Sequence, residues 1–183
     1  AEIGLPFERE DWGIGFKPTS DTAFTALNPN ALVPVVIVPR GGGKPPPSPK
    51  GSESAWERPG ADSDGDFVLW ESNTICRWLA AEHGREDLLP TSPRDRAEVE
   101  RWMDWLLASL NTPYVAVFKD AKNEPEKRAP DFAAQSADLI AQLKILDGHL
   151  AVKSYFALDR LTAADIALAP IVSRCLGFPI EKP

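Results

Sequence analysis

A dense run of β-branched residues, Leu32 to Val38, is the strongest strand signal in the chain, and no turn follows it. From Pro39 to Asp64, Gly, Pro and Ser supply 15 of 26 residues, with Pro45, Pro46, Pro47 and Pro49 close together. Proline cannot donate to a ladder, and such a composition buries too little apolar surface to offset the entropy of ordering. The segment is therefore expected to be an exposed, disordered excursion. The strand has to find its partner beyond it, and Asp66 to Glu71 is the next run that fits. Upstream, Leu5 to Glu10 alternates weakly and follows Gly4, which reads as a helix C-cap closing a tail at Ala1 to Ile3. The first part of the chain is mixed α/β.

From Ser72 the period changes. Ile75, Trp78 and Leu79 share one helical face as far as Glu82, and Gly84 marks the end. Leu88 to Pro93 reads as a linker. Ser92, Pro93 and Asp95 predict a capping box with proline at the first helical position. Val99, Trp102, Met103, Leu106 and Leu110 then trace an apolar stripe, and Pro113 is expected to kink or end that helix. A further helix is predicted from about Asp131 to Leu150 through Leu139, Leu143 and Leu146. The last starts at Thr162, with Asp165 reaching back and Leu161 and Ile166 at the staple positions.

Composition narrows the function. Lys and Arg number 20 against 27 Asp and Glu, a net charge of −7. That balance argues against a nucleic-acid groove, which needs a basic face to displace counterions, and against an anionic membrane surface. Two cysteines, Cys76 and Cys175, make no disulfide framework, and with His83 and His149 they give no metal-ligand spacing. The apolar runs are too short to span a bilayer, and the acidic start is unlike a signal peptide. The expectation is a reduced, soluble, cytoplasmic protein without a metal. No catalytic triad, Gly-rich phosphate loop or paired-carboxylate motif stands out.

Two spots are able to carry chemistry. Val33-Pro34 enters the first strand. It is either an ordinary strand-initiating proline, or a cis proline that turns the Val33 N–H and C=O outward for an extended ligand to pair with. Glu71-Ser72 lies where a strand gives way to a helix. Ser72 is a natural N-cap, and a helix N-terminus also suits a small carboxylate, with Glu71 beside it for an ammonium. An acid next to an N-terminus fits the amino-acid head of a ligand carrying both charges.

In this order, Asn-Pro-Asn-Ala-Leu-Val-Pro (28–34), Phe-Val-Leu-Trp-Glu-Ser-Asn-Thr-Ile (67–75) and Arg-Trp-Leu-Ala (77–80) resemble the cytosolic glutathione transferase family, most of all its bacterial members. Asp159 to Ile166 looks like the same family's helix-capping segment. The resemblance implies a thioredoxin-like domain (1–84, with the insertion at about 39–64), a linker (85–92) and an all-α domain (93–183), in a homodimer. It implies that Val33 pairs with the cysteinyl part of glutathione beside a cis Pro34, and that Glu71 and Ser72 hold the γ-glutamyl head. Tyr114 and Phe118 become candidates for an electrophile pocket, with ordinary core packing as the alternative. Glu100 and Asp104 read first as solvated helix charges, with a reach to the partner subunit's ligand as the alternative. Leu32 stands where the family often has a Lys or Gln for the glycyl end, and cannot make that contact.

The function implied is conjugation of glutathione, as cosubstrate, to a small electrophile in detoxification. Alternatives are a non-catalytic binding or scaffold member and a glutathione-dependent thiol reductase or isomerase. The resemblance puts the family's catalytic Ser, Tyr or Cys upstream of Ala1, Phe7 to Asp11 in a strand beside that segment, and the last helices beyond Pro183. The chain is thus expected to be an internal fragment, incomplete in its first domain, truncated in its second, and not a competent enzyme by itself.

Overall fold

A computed structural model describes residues 2–39 and 65–183, so the disordered excursion expected over Pro39 to Asp64 falls, Pro39 apart, outside the described residues. The chain forms two compact units, Ala1–Trp78 and Leu79–Pro183.

In the first unit, α1 (Thr22–Thr25) is a single turn started by the Asp21 side chain, which accepts the Ala23 N–H at 2.8 Å. Its Phe24 is buried against Trp12, ring centroids 5.0 Å apart. Between Trp12 and Lys17 the chain folds back tightly: Gly13 N–H donates to Lys17 C=O at 2.8 Å, and Gly13 and Gly15 take φ of +100° and +86°. Only glycine adopts such angles without strain.

Strands β1 (Val35–Val38) and β2 (Phe67–Trp70) pair antiparallel in the register Val35↔Trp70, Val36↔Leu69, Ile37↔Val68, Val38↔Phe67. Phe67 lies 5.1 Å from the ring of Trp78 on α2 (Ser72–Glu82). Both strands are shorter than their sequence runs. The expected strand over Leu32 to Val38 begins only at Val35, because Pro34 has no N–H and the residues before it are held in a turn. The strand expected to reach Glu71 stops at Trp70, since Glu71 swings to φ +73°. Phe7 to Asp11, expected to be a strand, is not one. A strand exists by pairing, and among the described residues this stretch has no ladder partner and leaves Phe7 77% exposed.

The second unit is helical: α3 (Pro93–Trp105), α4 (Asn111–Asp120), α5 (Phe132–Leu150) and α6 (Ala163–Leu176), with a short 3₁₀ turn at Pro125–Lys127. The chain leaves α2 through a Schellman closure. Arg85 N–H donates to Ala80 C=O and Gly84 N–H to Ala81 C=O, around Gly84 at φ +61°. Leu88 and Leu89, expected in a linker, are buried, and Leu88 C=O accepts the Ala163 N–H at 2.9 Å.

The stripe Val99, Trp102, Met103, Leu106 and Leu110 is buried throughout, as are Leu139, Leu143 and Leu146 of α5. Two local expectations are corrected. Pro93 takes the first helical position after Ser92, but the Ser92 side chain makes no cap bond, so that box is not formed. Pro113 does not end its helix. A π-turn at Leu106–Leu110, closed by Asn111 N–H to Leu106 C=O, joins α3 to α4 just upstream. Proline leaves one carbonyl unpaired and crowds the preceding turn, and a widened turn there accommodates both effects.

The predicted cap of α6 is present. The Asp165 carboxylate, buried, accepts the Thr162 N–H at 2.8 Å, the Thr162 hydroxyl at 2.9 Å and, on its other oxygen, the Phe156 N–H at 3.0 Å. One side chain thereby starts α6 and fixes the loop before it. Asp165→Ala strips the partners from two buried N–H groups at about 1–3 kcal/mol each. A loss of roughly 2–5 kcal/mol in urea unfolding is expected, with the slope unchanged if the native fold persists.

Candidate functional site

The ladder register decides which residues meet. Val35 faces Trp70, so the residues just before β1 and just after β2 emerge at the same end of the sheet. The ladder ends at that pair: Glu71 turns away at φ +73°, Ser72 opens α2, and Val33-Pro34 lies outside it on the other strand. The two spots singled out in the sequence, 38 residues apart, are brought together by four strand pairs. Leu32, Val33, Pro34, Glu71 and Ser72 are all exposed, with Val33 at 54% and Leu32 at 63%. The Val33-Pro34 peptide bond is cis.

Backbone geometry at 71–72 completes this end. Glu71 C=O accepts the Ile75 N–H at 2.9 Å, which makes Glu71 the cap residue and Ser72 the first residue of α2. Ser72, expected as the N-cap, is one position further in. Its N–H is one of the four that a helix start leaves without intrahelical partners, where the dipole favours an anion. The exposed Glu71 carboxylate stands immediately beside it. Donors for a carboxylate and an acceptor for an ammonium are adjacent, and the exposed Val33 precedes β1 at the same end of the ladder.

The loop that precedes Val33 is built on Asn28, which entered the sequence analysis only as the first residue of the 28–34 motif, with no role for its side chain. Asn28 is 2% exposed and uses every hydrogen-bonding group it has. Its N–H donates to Phe24 C=O at 3.0 Å and its C=O accepts the Ala31 N–H at 3.0 Å. Its Oδ1 accepts the Asn30 N–H at 3.0 Å, and its Nδ2 donates to Leu32 C=O at 2.7 Å. Ala31 sits at φ +55° inside that turn. An Asn followed by Pro and, two residues on, a free N–H is an Asx-turn signature, the signal that was available.

Tyr114 and Phe118 belong to the second unit, on α4. Their rings stack at 5.7 Å, and Phe178 lies 5.9 Å from Tyr114 and 6.3 Å from Phe118. Tyr114 is buried, and its hydroxyl accepts from Arg174 at 3.2 Å. Phe118, Ala121, Lys122, Arg174, Gly177 and Phe178 line an open cleft of about 320 Å³, with Lys122 and Arg174 within 6 Å of the Phe118 ring. Phe118 faces the cleft, whereas Tyr114 stands behind it in the aromatic stack.

Burial pushes the Cys76 thiol above its ordinary range despite Arg77 beside it, the wrong direction for a nucleophile at neutral pH. Burial likewise pushes Cys175 up to about 11. Among the described residues no group of three or more His, Cys, Asp or Glu is placed to hold a metal ion, and no helix is long and apolar enough to cross a membrane.

The left-handed φ of Glu71 has a cost, since a side chain there meets the backbone unfavourably and glycine does not. Glu71→Gly is therefore expected to raise unfolding stability by up to about 1 kcal/mol while removing the carboxylate. Chemical denaturation of the two proteins side by side checks this; a destabilised variant contradicts it.

Comparison with known proteins agrees over both units. Residues 1–82 match the model of the glutathione S-transferase N-terminal domain, and residues 88–182 that of the glutathione S-transferase C-terminal domain. The glutathione S-transferase GstB of Escherichia coli (strain K12) is 33% identical over 175 residues, covering 93% of this chain and 72% of that protein. Glutathione S-transferase F9 of Arabidopsis thaliana is 28% identical over 190 residues, 99% of this chain and 74% of its own. Among solved structures, the theta class glutathione S-transferase of the citrus canker pathogen Xanthomonas axonopodis pv. citri, with glutathione bound, superposes with a TM-score of 0.77 at 29% identity, covering all of this chain and 76% of that one. With a thioredoxin-like unit followed by a helical one, and with both domain models matched in order, the chain belongs to the glutathione S-transferase family.

Proposed function

We propose that the chain binds glutathione at the end of the β1–β2 ladder and presents its thiol to a small electrophile. The observation that carries this reading is the ladder, whose end pair, Val35 with Trp70, brings the Val33-Pro34 and Glu71-Ser72 segments out at one end of the sheet. The Val33 backbone would pair with the cysteinyl unit as one more strand residue pairs with a sheet. The N-terminus of α2 at Ser72 would take the γ-glutamyl carboxylate, and Glu71 the ammonium. Glutathione carries both charges on one carbon, which is the separation that neighbouring residues offer. The bound glutathione in the Xanthomonas relative's structure supports the choice of ligand.

Phe118, backed by Tyr114, is assigned to an electrophile pocket. The division of labour follows the expected boundaries, 1–84 for glutathione, 85–92 as connection and 93–183 for the helical domain, in a cytoplasmic homodimer. No residue of 1–183 is assigned the role of stabilising the thiolate. Among the described residues of the first unit the hydroxyl and thiol candidates of the usual kinds are Ser20, Ser72 and Cys76. Ser72 is committed to the γ-glutamyl head, and Cys76 is pushed away from thiolate character. A non-catalytic glutathione-binding role is the second reading.

Calorimetric titration of residues 1–183 with glutathione is the test. Glu71→Ala and Ser72→Ala are each expected to weaken binding by about 1–3 kcal/mol, as for the loss of a charge-assisted bond. Unchanged affinity in both would overturn the shared site. Conjugation to a broad aryl-halide electrophile is expected to stay near the uncatalysed background. Rapid turnover would instead place an activating group within these residues.

A further inference from the structure

We infer that Asn28 is a positioning residue for glutathione, acting through the Leu32 carbonyl to set the Val33 backbone. The inference rests on the reading of Val33 as the cysteinyl contact, and goes beyond it by naming what holds that contact in place.

Val33 is exposed and lies outside the ladder, so sheet pairing does not orient its peptide groups. The peptide that joins Leu32 to Val33 carries the Leu32 C=O at one end and the Val33 N–H at the other, in one rigid plane. Asn28 Nδ2 grips that C=O at 2.7 Å, and so fixes which way the Val33 N–H points. The grip is itself anchored. Asn28 is 2% exposed, and its N–H is tied to Phe24, which is buried against Trp12. Strand β1 holds the far side of Val33-Pro34 from Val35 onward. The ligand-facing dipeptide is thus suspended between a ladder and one side-chain amide.

The chemistry required is specific. The Asn28 side chain accepts from Asn30 N–H and donates to Leu32 C=O at the same time. An amide does both. A carboxylate keeps the first bond, loses the second, and sets an anion against a carbonyl oxygen. Asn28→Asp therefore separates the turn from the grip: Asx-turn geometry survives and the Val33 peptide is released. A purely structural asparagine, needed only for the turn, would tolerate this change in ligand binding.

The experiment compares residues 1–183 with Asn28→Asp and Asn28→Ser by calorimetry with glutathione and by ¹⁵N-resolved NMR of the amides during the same titration. Both variants are expected to lose about fivefold to tenfold in affinity, the scale of one hydrogen bond. In the wild type the Val33 and Ser72 amides both respond to glutathione. In the variants the Ser72 response should persist at saturation while the Val33 response shrinks. Wild-type affinity together with a wild-type Val33 response in either folded variant overturns the role of Asn28. A wild-type chain that binds no glutathione overturns instead the function on which the inference rests. Should Asn28→Asp fail to fold, Asn28→Ser decides alone, since its short hydroxyl still reaches Asn30 N–H but not a carbonyl four residues on.

Discussion

Four antiparallel residue pairs hold the candidate site together, and little else in the first unit depends on so few bonds. A β-ladder has no continuous adjustment. A slip of one residue moves a strand by about 3.3 Å and turns every side chain to the other face. In this chain such a slip would shift the residues before β1 by the same step relative to the start of α2. The helix start and the exposed dipeptide are therefore a consequence of register, and register here is set by few neighbours. The apolar and β-branched residues Val35 to Val38 and Phe67 to Trp70 supply it, with Trp78 of α2 closing over Phe67.

Most of the element order was legible in the sequence because it rests on local rules. The β-branched run, the Thr162–Asp165 cap, the apolar stripe from Val99 to Leu110 and the Gly84 stop are periodicities or short-range bonds, and the structure contains them. What was misplaced depended on partners. Leu5 to Glu10 alternates weakly and the resemblance makes Phe7 to Asp11 a strand, yet neither supplies a ladder partner among the described residues. Ser92 has the right residue type for a cap, yet its hydroxyl makes no such bond. Pro113 breaks the rule for a helix interior only until the π-turn before it is seen, and nothing in single-residue propensity announces a π-turn. Ser72 missed its capping position by one residue because Glu71, a poor candidate for φ +73°, is held there by the strand-to-helix turn.

The two units solve their connection problems by different means. In the second, Asp165 collects three donors and the Leu88 carbonyl takes the Ala163 N–H, so buried polar groups fasten the N-terminus of α6 to the chain that precedes the bundle. Each of these bonds is buried, and loss of one partner leaves the other unsatisfied. In the first, Asn28 does the corresponding work with an amide, joining α1 to the residues before β1. In both cases a short polar side chain closes a loop where the backbone cannot pair with itself.

That comparison explains why a site of this kind can be made almost entirely of backbone. Side chains at Leu32, Val33 and Pro34 are apolar and offer no hydrogen bond, so the recognition assigned to this edge falls to N–H and C=O groups alone. Backbone groups recognise an extended peptide well, because their spacing matches its own, but they carry no rotamers with which to correct an error in aim. Accuracy has to come from whatever orients the peptide plane. On one side that is β1, fixed by its ladder. On the other it is a single buried asparagine whose side-chain amide bonds at both its oxygen and its nitrogen. Polar identity at position 28 and apolar side chains at positions 32 and 33 are then two aspects of one arrangement: the hydrogen-bonding groups of the 32–34 edge are main-chain groups, and the Asn28 amide holds one of them, the Leu32 carbonyl, still.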